Sequence, residues 1–204
     1  MILFAYSALL FSALATTRWL YRDAEQCPAD RQTTLRVLCL SYLFIALAAL
    51  AELFSGLMPS TLTNDLVTLQ RMLDNLAFYA AIPLLASPAV ATGLGQHWSR
   101  PAWGRWLIAL FALFELCRRM EYGALYAQIL AALCVLAIIA SAIRFTETRT
   151  RVLGVLSAGG LGTTLLLFSH ASLVSGLANS TAYALSLALT VPLFGYTLRH
   201  ALRP

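Results

Sequence analysis

Hydrophobic residues in this chain fall into long unbroken blocks separated by short polar stretches, and do not alternate with polar ones. Seven blocks stand out, over residues 1–19, 37–58, 67–94, 103–117, 122–143, 152–173 and 181–198. A helix needs about 20 mostly apolar residues to cross about 30 Å of hydrocarbon. In lipid the backbone must satisfy its own polar groups, and a block of this kind does so only as a helix. The short alternating segments of an outer-membrane barrel are missing from the sequence. The pattern predicts an all-α polytopic membrane protein, a seven-transmembrane-helix bundle that forms one domain over 1–204. The fourth block is the weakest, because its apolar core is short and Arg118 and Arg119 follow it at once.

Composition agrees and narrows the class. The chain is 60% hydrophobic and 11% charged, where soluble domains are about 45–50% apolar and about 25% charged. That excludes a soluble enzyme, a disordered tail and a disulfide-rich secreted module. Cys27, Cys39, Cys117 and Cys134 make no CxxC pair and no metal spacing. They read as packing residues, and no disulfide, metal or other cofactor is expected. All 14 basic residues are arginine. Without lysine there is no Schiff-base chemistry with retinal or pyridoxal phosphate.

Charge placement sets an expected orientation, because cytoplasmic loops carry the arginine excess. With the first connection inside, 11 of the 14 arginines are cytoplasmic, and only Arg71, Arg118 and Arg119 are not. The inner population, 11 arginines and 4 acids, nets +7, and the outer one nets −2. The N-terminus is then outside and the C-terminus cytoplasmic. Nothing basic precedes Ile2, whereas Arg18 and Arg22 follow the first block, so that block reads as an anchor and not as a cleaved signal. The net charge of +5 is mostly this topology signal and calls for no nucleic-acid partner. The stretch 17–36 reads as a cytoplasmic loop. Trp98, Trp103 and Trp106 read as an interfacial belt. The chain reads as a multi-pass protein of a bacterial inner membrane, with the lipid bilayer as its first partner.

Ionisable residues inside a membrane are costly and are functional candidates by default. Glu52 falls late in the second block, Arg71 and Asp74 early in the third, and Glu115 late in the fourth. Alternating helix directions put all of them on the outer side. At 1.5 Å per residue, Glu52, Asp74 and Glu115 lie roughly 7–10 Å outward of their helix midpoints. Arg71, Asp74 and Asn75 share a helix face at i, i+3 and i, i+4. Arg118, Arg119 and Glu121 extend the layer, and Tyr79, Tyr122, Tyr126 and Gln128 could line it. Two arrangements satisfy this pattern. One is a lattice of ion pairs that pins three helices. The other is a polar cavity open to the outer face, in which the arginines bind an anion and the acids hold them or carry protons. The expected ligand site is therefore Glu52, Arg71, Asp74, Asn75, Glu115, Arg118, Arg119, Tyr122 and Tyr126.

Other features are weaker. Pro83, Pro88 and Pro192 would kink the third and seventh helices. Gly154, Ala158 and Gly162 repeat at small-xxx-small spacing on the sixth helix, which allows a close helix neighbour. That neighbour is either part of the bundle or a docked membrane protein or second copy. His170 lacks a second histidine at its depth, so no haem is expected. No HExxH, GxSxG or P-loop is present. The plan superficially resembles microbial rhodopsins through Arg71, Asp74 and Pro83. The spacing to the proline departs from that family, and the last helix has no lysine for retinal, so the resemblance implies no function here. The sequence leaves three functions open: a transporter-like or ligand-binding protein, an accessory or sensor subunit, and a membrane enzyme acting on lipid or quinone.

Overall fold

A computed structural model describes residues 1–57, 63–96, 98–120, 122–170 and 172–202, with residues 30, 63, 64, 118 and 175 described by their backbone alone. Among the described residues the chain forms seven long helices and no strand. They are α1 (Ile2–Glu25), α2 (Ala29–Leu57) and α3, which runs Thr63–Leu76, passes through a π-helical turn at Ala77–Ala81 and continues as Ile82–Gly93. Then come α4 (Arg100–Arg119), α5 (Gly123–Ile143), α6 (Thr148–Thr163 with a π-helical end Thr164–Phe168) and α7 (Ser180–Leu202). Six of the seven are long and apolar enough to cross a membrane, and α4 is the exception. Its 20 residues carry Arg100, Arg105, Glu115, Arg118 and Arg119. The uncharged core between Arg105 and Glu115 is about 13 Å long at 1.5 Å per residue.

Close contacts fix the helix directions. Gly56 of α2 lies against Leu3 of α1, and the Cys39 thiol of α2 donates to the Thr17 carbonyl of α1, so the two run antiparallel. The Ser41 hydroxyl of α2 donates to the Ala81 carbonyl of α3 at 2.6 Å, while Glu52 meets Gln70. Those two are antiparallel as well. Tyr79 of α3 stacks near Tyr126 of α5, and Gly93 lies against Ser141, so α3 and α5 run parallel. The chain must therefore travel back between them. α4 makes that return, with the Trp106 indole donating to Ser87 at 2.9 Å and Phe114 stacked on Tyr79 at 4.1 Å. α5, α6 and α7 then alternate. The ends of the bundle are consequently unlike. One end gathers Arg18, Arg22, Arg31, Arg36, Arg100, Arg105, Arg144, Arg149, Arg151 and Arg199. The other gathers the first turns of α1, α3, α5 and α7.

Several polar groups in the spans are satisfied within their own helix, as a low-dielectric surrounding favours. Ser87, Thr92 and Ser141 each donate to the carbonyl four residues back. Prolines leave specific carbonyls bare. Pro192 has no N–H for the Ala188 carbonyl, and the Ser12 hydroxyl of α1 donates to it at 2.6 Å. One turn on, the Tyr42 hydroxyl donates to Val191. The π-helical turn at 77–81 stands just before Pro83, whose missing N–H disrupts the same stretch of ladder.

The small residues of α6 are used inside the bundle. A Cβ on Gly154 would meet Ala142 of α5 at 2.7 Å, and one on Gly160 would meet Thr190 of α7 at 2.5 Å. The α5–α6 and α6–α7 contacts therefore need hydrogen at these positions. Gly159 has nothing within 4 Å.

Two expectations are corrected. The stretch 17–36 is mostly helix, and only residues 26–28 connect α1 to α2. Leu20 and Ala24 are fully buried, which carries α1 past its charged residues. Asp23 pairs with Arg199 of α7, and Arg31 donates to the Leu202 carbonyl at 2.6 Å. The sixth helix was expected to reach residue 173, but it stops at Phe168, where Ser169 turns extended. The connector folds back, with Leu173 donating to Leu166 and Asn179 to Phe168.

Candidate functional site

Helix direction decides which side chains share an end. Tyr6 is early in α1, Glu52 late in α2, Asp74 early in α3 and Tyr183 early in α7. All four meet at the end opposite the arginine-rich one, under the connector between α6 and α7. They line a cavity of about 340 Å³ together with Phe78, His170, Asn179 and mostly apolar neighbours.

The cavity is built from both walls and roof. The Gln70 amide donates to one Glu52 carboxylate oxygen at 2.8 Å and so fixes its orientation. Asn179 caps α7, its side-chain oxygen accepting from the Thr181 and Ala182 amides at 2.9 and 3.2 Å. The backbone amide of Asn179 donates to the Phe168 carbonyl at 3.1 Å and holds the connector against the end of α6. Phe78 stands between His170, at 4.6 Å between rings, and Tyr79, at 5.2 Å. Tyr79 extends this aromatic packing away from the cavity toward Phe114 and Tyr126.

Among the described residues no arginine or histidine forms an ion pair with Glu52 or Asp74; the ion pairs found there are Glu115–Arg119 and Asp23–Arg199. Both carboxylates therefore face one space, which His170 also lines, and neither has an ion-pair partner among the described residues. Two like charges in a partly desolvated site repel each other, and each lacks the pairing that normally offsets desolvation.

The nine expected site residues divide. Glu52 and Asp74 line the cavity. Arg71 is exposed, and Asn75 is half-buried; neither is among the described lining residues. Glu115 and Arg119 pair with each other at 2.9 Å on an exposed stretch of α4. Tyr122 is exposed, and Tyr126 sits in the Tyr79 stack with its hydroxyl buried and without a hydrogen bond among the described residues. The Arg118 side chain and Glu121 lie outside the described residues, as does His97. The expected single layer of mixed charge is thus two separate groups. They do not share a face, because among the described residues α4 packs chiefly against α3 and α5. Depth along an axis carries no information about rotation around it.

The sequence reading missed Tyr6, Tyr183 and Asn179. Extending the same depth argument to the uncharged polar residues of the first and last helices would have found both tyrosines.

The chain matches no protein-family model, no curated protein and no solved structure.

Proposed function

We propose that this is a seven-pass inner-membrane protein, with its N-terminus outside and its C-terminus cytoplasmic, that takes up a small molecule or ion from the outer face into the Glu52–Asp74 cavity. The reading is transporter-like and coupled to charge or protons. One observation carries it: two carboxylates share a cavity and neither forms an ion pair among the described residues. A lattice serving stability alone would pair them, because an unpaired carboxylate in a membrane is costly. The arginine-rich end supports the orientation. The parallel course of α3 and α5, with α4 returning between them, supports a seventh crossing despite the charges at its ends. The sequence suggested an anion held by arginines. With Arg71 and Arg119 away from the cavity, the site's charge favours cations and protons.

Liposomes holding a trapped pH-sensitive dye test this. With purified protein inserted, an imposed pH gradient is expected to decay faster than in empty liposomes. Glu52→Gln and Asp74→Asn, checked for folding by size exclusion, are expected to return the decay to the empty rate. Folded variants that dissipate the gradient as fast as the unmodified protein overturn the proposal.

A further inference from the structure

We propose that the cavity binds a small organic cation, an amine or quaternary ammonium, held by charge to Glu52 and Asp74 and by ring faces of Tyr6, Phe78 and Tyr183. The inference rests on the reading of the cavity as a binding site and names its ligand class.

Three features point the same way. The first is charge. A monocation between the two carboxylates offsets their mutual repulsion and supplies the partner that the described residues do not. The second is the lining. Aromatic side chains come from three different helices, Tyr6 from α1, Phe78 from α3 and Tyr183 from α7, and surround the same space as the acids. Ring faces attract weakly hydrated cations, and most strongly where water is excluded. A hard metal cation instead requires a nearly complete cage of oxygens. Here no three His, Cys, Asp or Glu side chains cluster for a metal among the described residues. The third is size. About 340 Å³ falls at the small end of ordinary ligand pockets and exceeds what a bare ion needs.

Glu52 and Asp74 also differ in readiness. The Gln70 amide already engages one oxygen of Glu52, whereas no side chain among the described residues donates to Asp74. Asp74 is therefore the primary contact for the ammonium group, and Glu52 sets the field around it.

The test uses the full chain in a nonionic detergent, with choline and tetramethylammonium as probes and sodium chloride at equal ionic strength as control. Saturable stabilisation by the ammonium probes, without an equal effect of sodium, is expected in thermal unfolding. Asp74→Asn is expected to abolish it, and Asp74→Glu to retain part of it. Tyr183→Leu is expected to weaken binding about tenfold, and Tyr183→Phe, which keeps the ring face, clearly less. Equal responses to sodium and ammonium, or no response to ammonium, overturn the ligand class. If gradient decay in liposomes still depends on Glu52 and Asp74, only the ligand class falls. If neither measurement depends on them, the reading of the site falls as well.

Discussion

The two ends of the bundle treat a half-buried acid in opposite ways. At the arginine-rich end Asp23 of α1 faces Arg199 of α7, whose guanidinium donates to it at 2.8 Å and lies 4.4 Å above the Trp19 ring. Both side chains are largely buried, at 14% and 17% exposure. At the other end the same two helices contribute Tyr6 and Tyr183 instead, and Asp74 and Glu52 stand in a cavity. The acids are chemically alike. The difference is whether the facing helix offers a cation. Where it does, the end is locked; where it does not, the site has charge available for a ligand.

Breaking the lock should produce the largest effect. Asp23→Asn or Arg199→Ala leaves one buried charge without its partner, and a loss of about 3 kcal/mol is expected. Thermal unfolding in detergent reads it directly. Replacing both at once by apolar residues of similar size should recover most of the loss, since a well-packed apolar pair serves as well as a buried ion pair.

Next come the close helix contacts of α6. Gly154→Leu or Gly160→Leu must displace Ala142 or Thr190 and should cost about 2 kcal/mol. Gly159→Leu, one residue away in open space, should change stability by less than about 0.5 kcal/mol. A large loss of stability at Gly159 would contradict the rotation assigned to α6.

Smaller still is the hydroxyl that serves a proline. Ser12→Ala uncovers the Ala188 carbonyl and should cost about 1 kcal/mol, read from the same unfolding curve. The smallest effect belongs to the exposed pair on α4. Glu115→Ala and Arg119→Ala should each shift stability by only about 0.3 kcal/mol. Neither should alter gradient decay, which separates this pair from Glu52 and Asp74.

The apolar blocks made the helices legible, because a membrane span writes its length directly into the sequence. Even the weakness of the fourth block reappears in α4. Helix ends were less legible. Arginines and acids at 18–25 looked like a loop, but Leu20 and Ala24, one helical turn apart, are buried and Asp23 pairs with Arg199 of α7, and a tertiary contact outweighs local polarity. The site was half legible. Depth brought Glu52 and Asp74 to one level, yet the same argument included Glu115 and Arg119, which face another way. Rotation depends on which helices are neighbours, and α4's place beside α3 and α5 is a property of the assembled bundle. The two tyrosines carry no charge, so a search for ionisable groups in the membrane passed over them.

The contrast between the two ends reduces to one comparison of unfolding midpoints in detergent. The Glu52→Gln, Asp74→Asn double variant should unfold at or above the temperature of the unmodified protein, because it removes two carboxylates that have no ion-pair partner among the described residues, while Asp23→Asn should unfold well below it. A drop in the double variant as large as that of Asp23→Asn would mean that the cavity acids hold the bundle together, and would contradict the account.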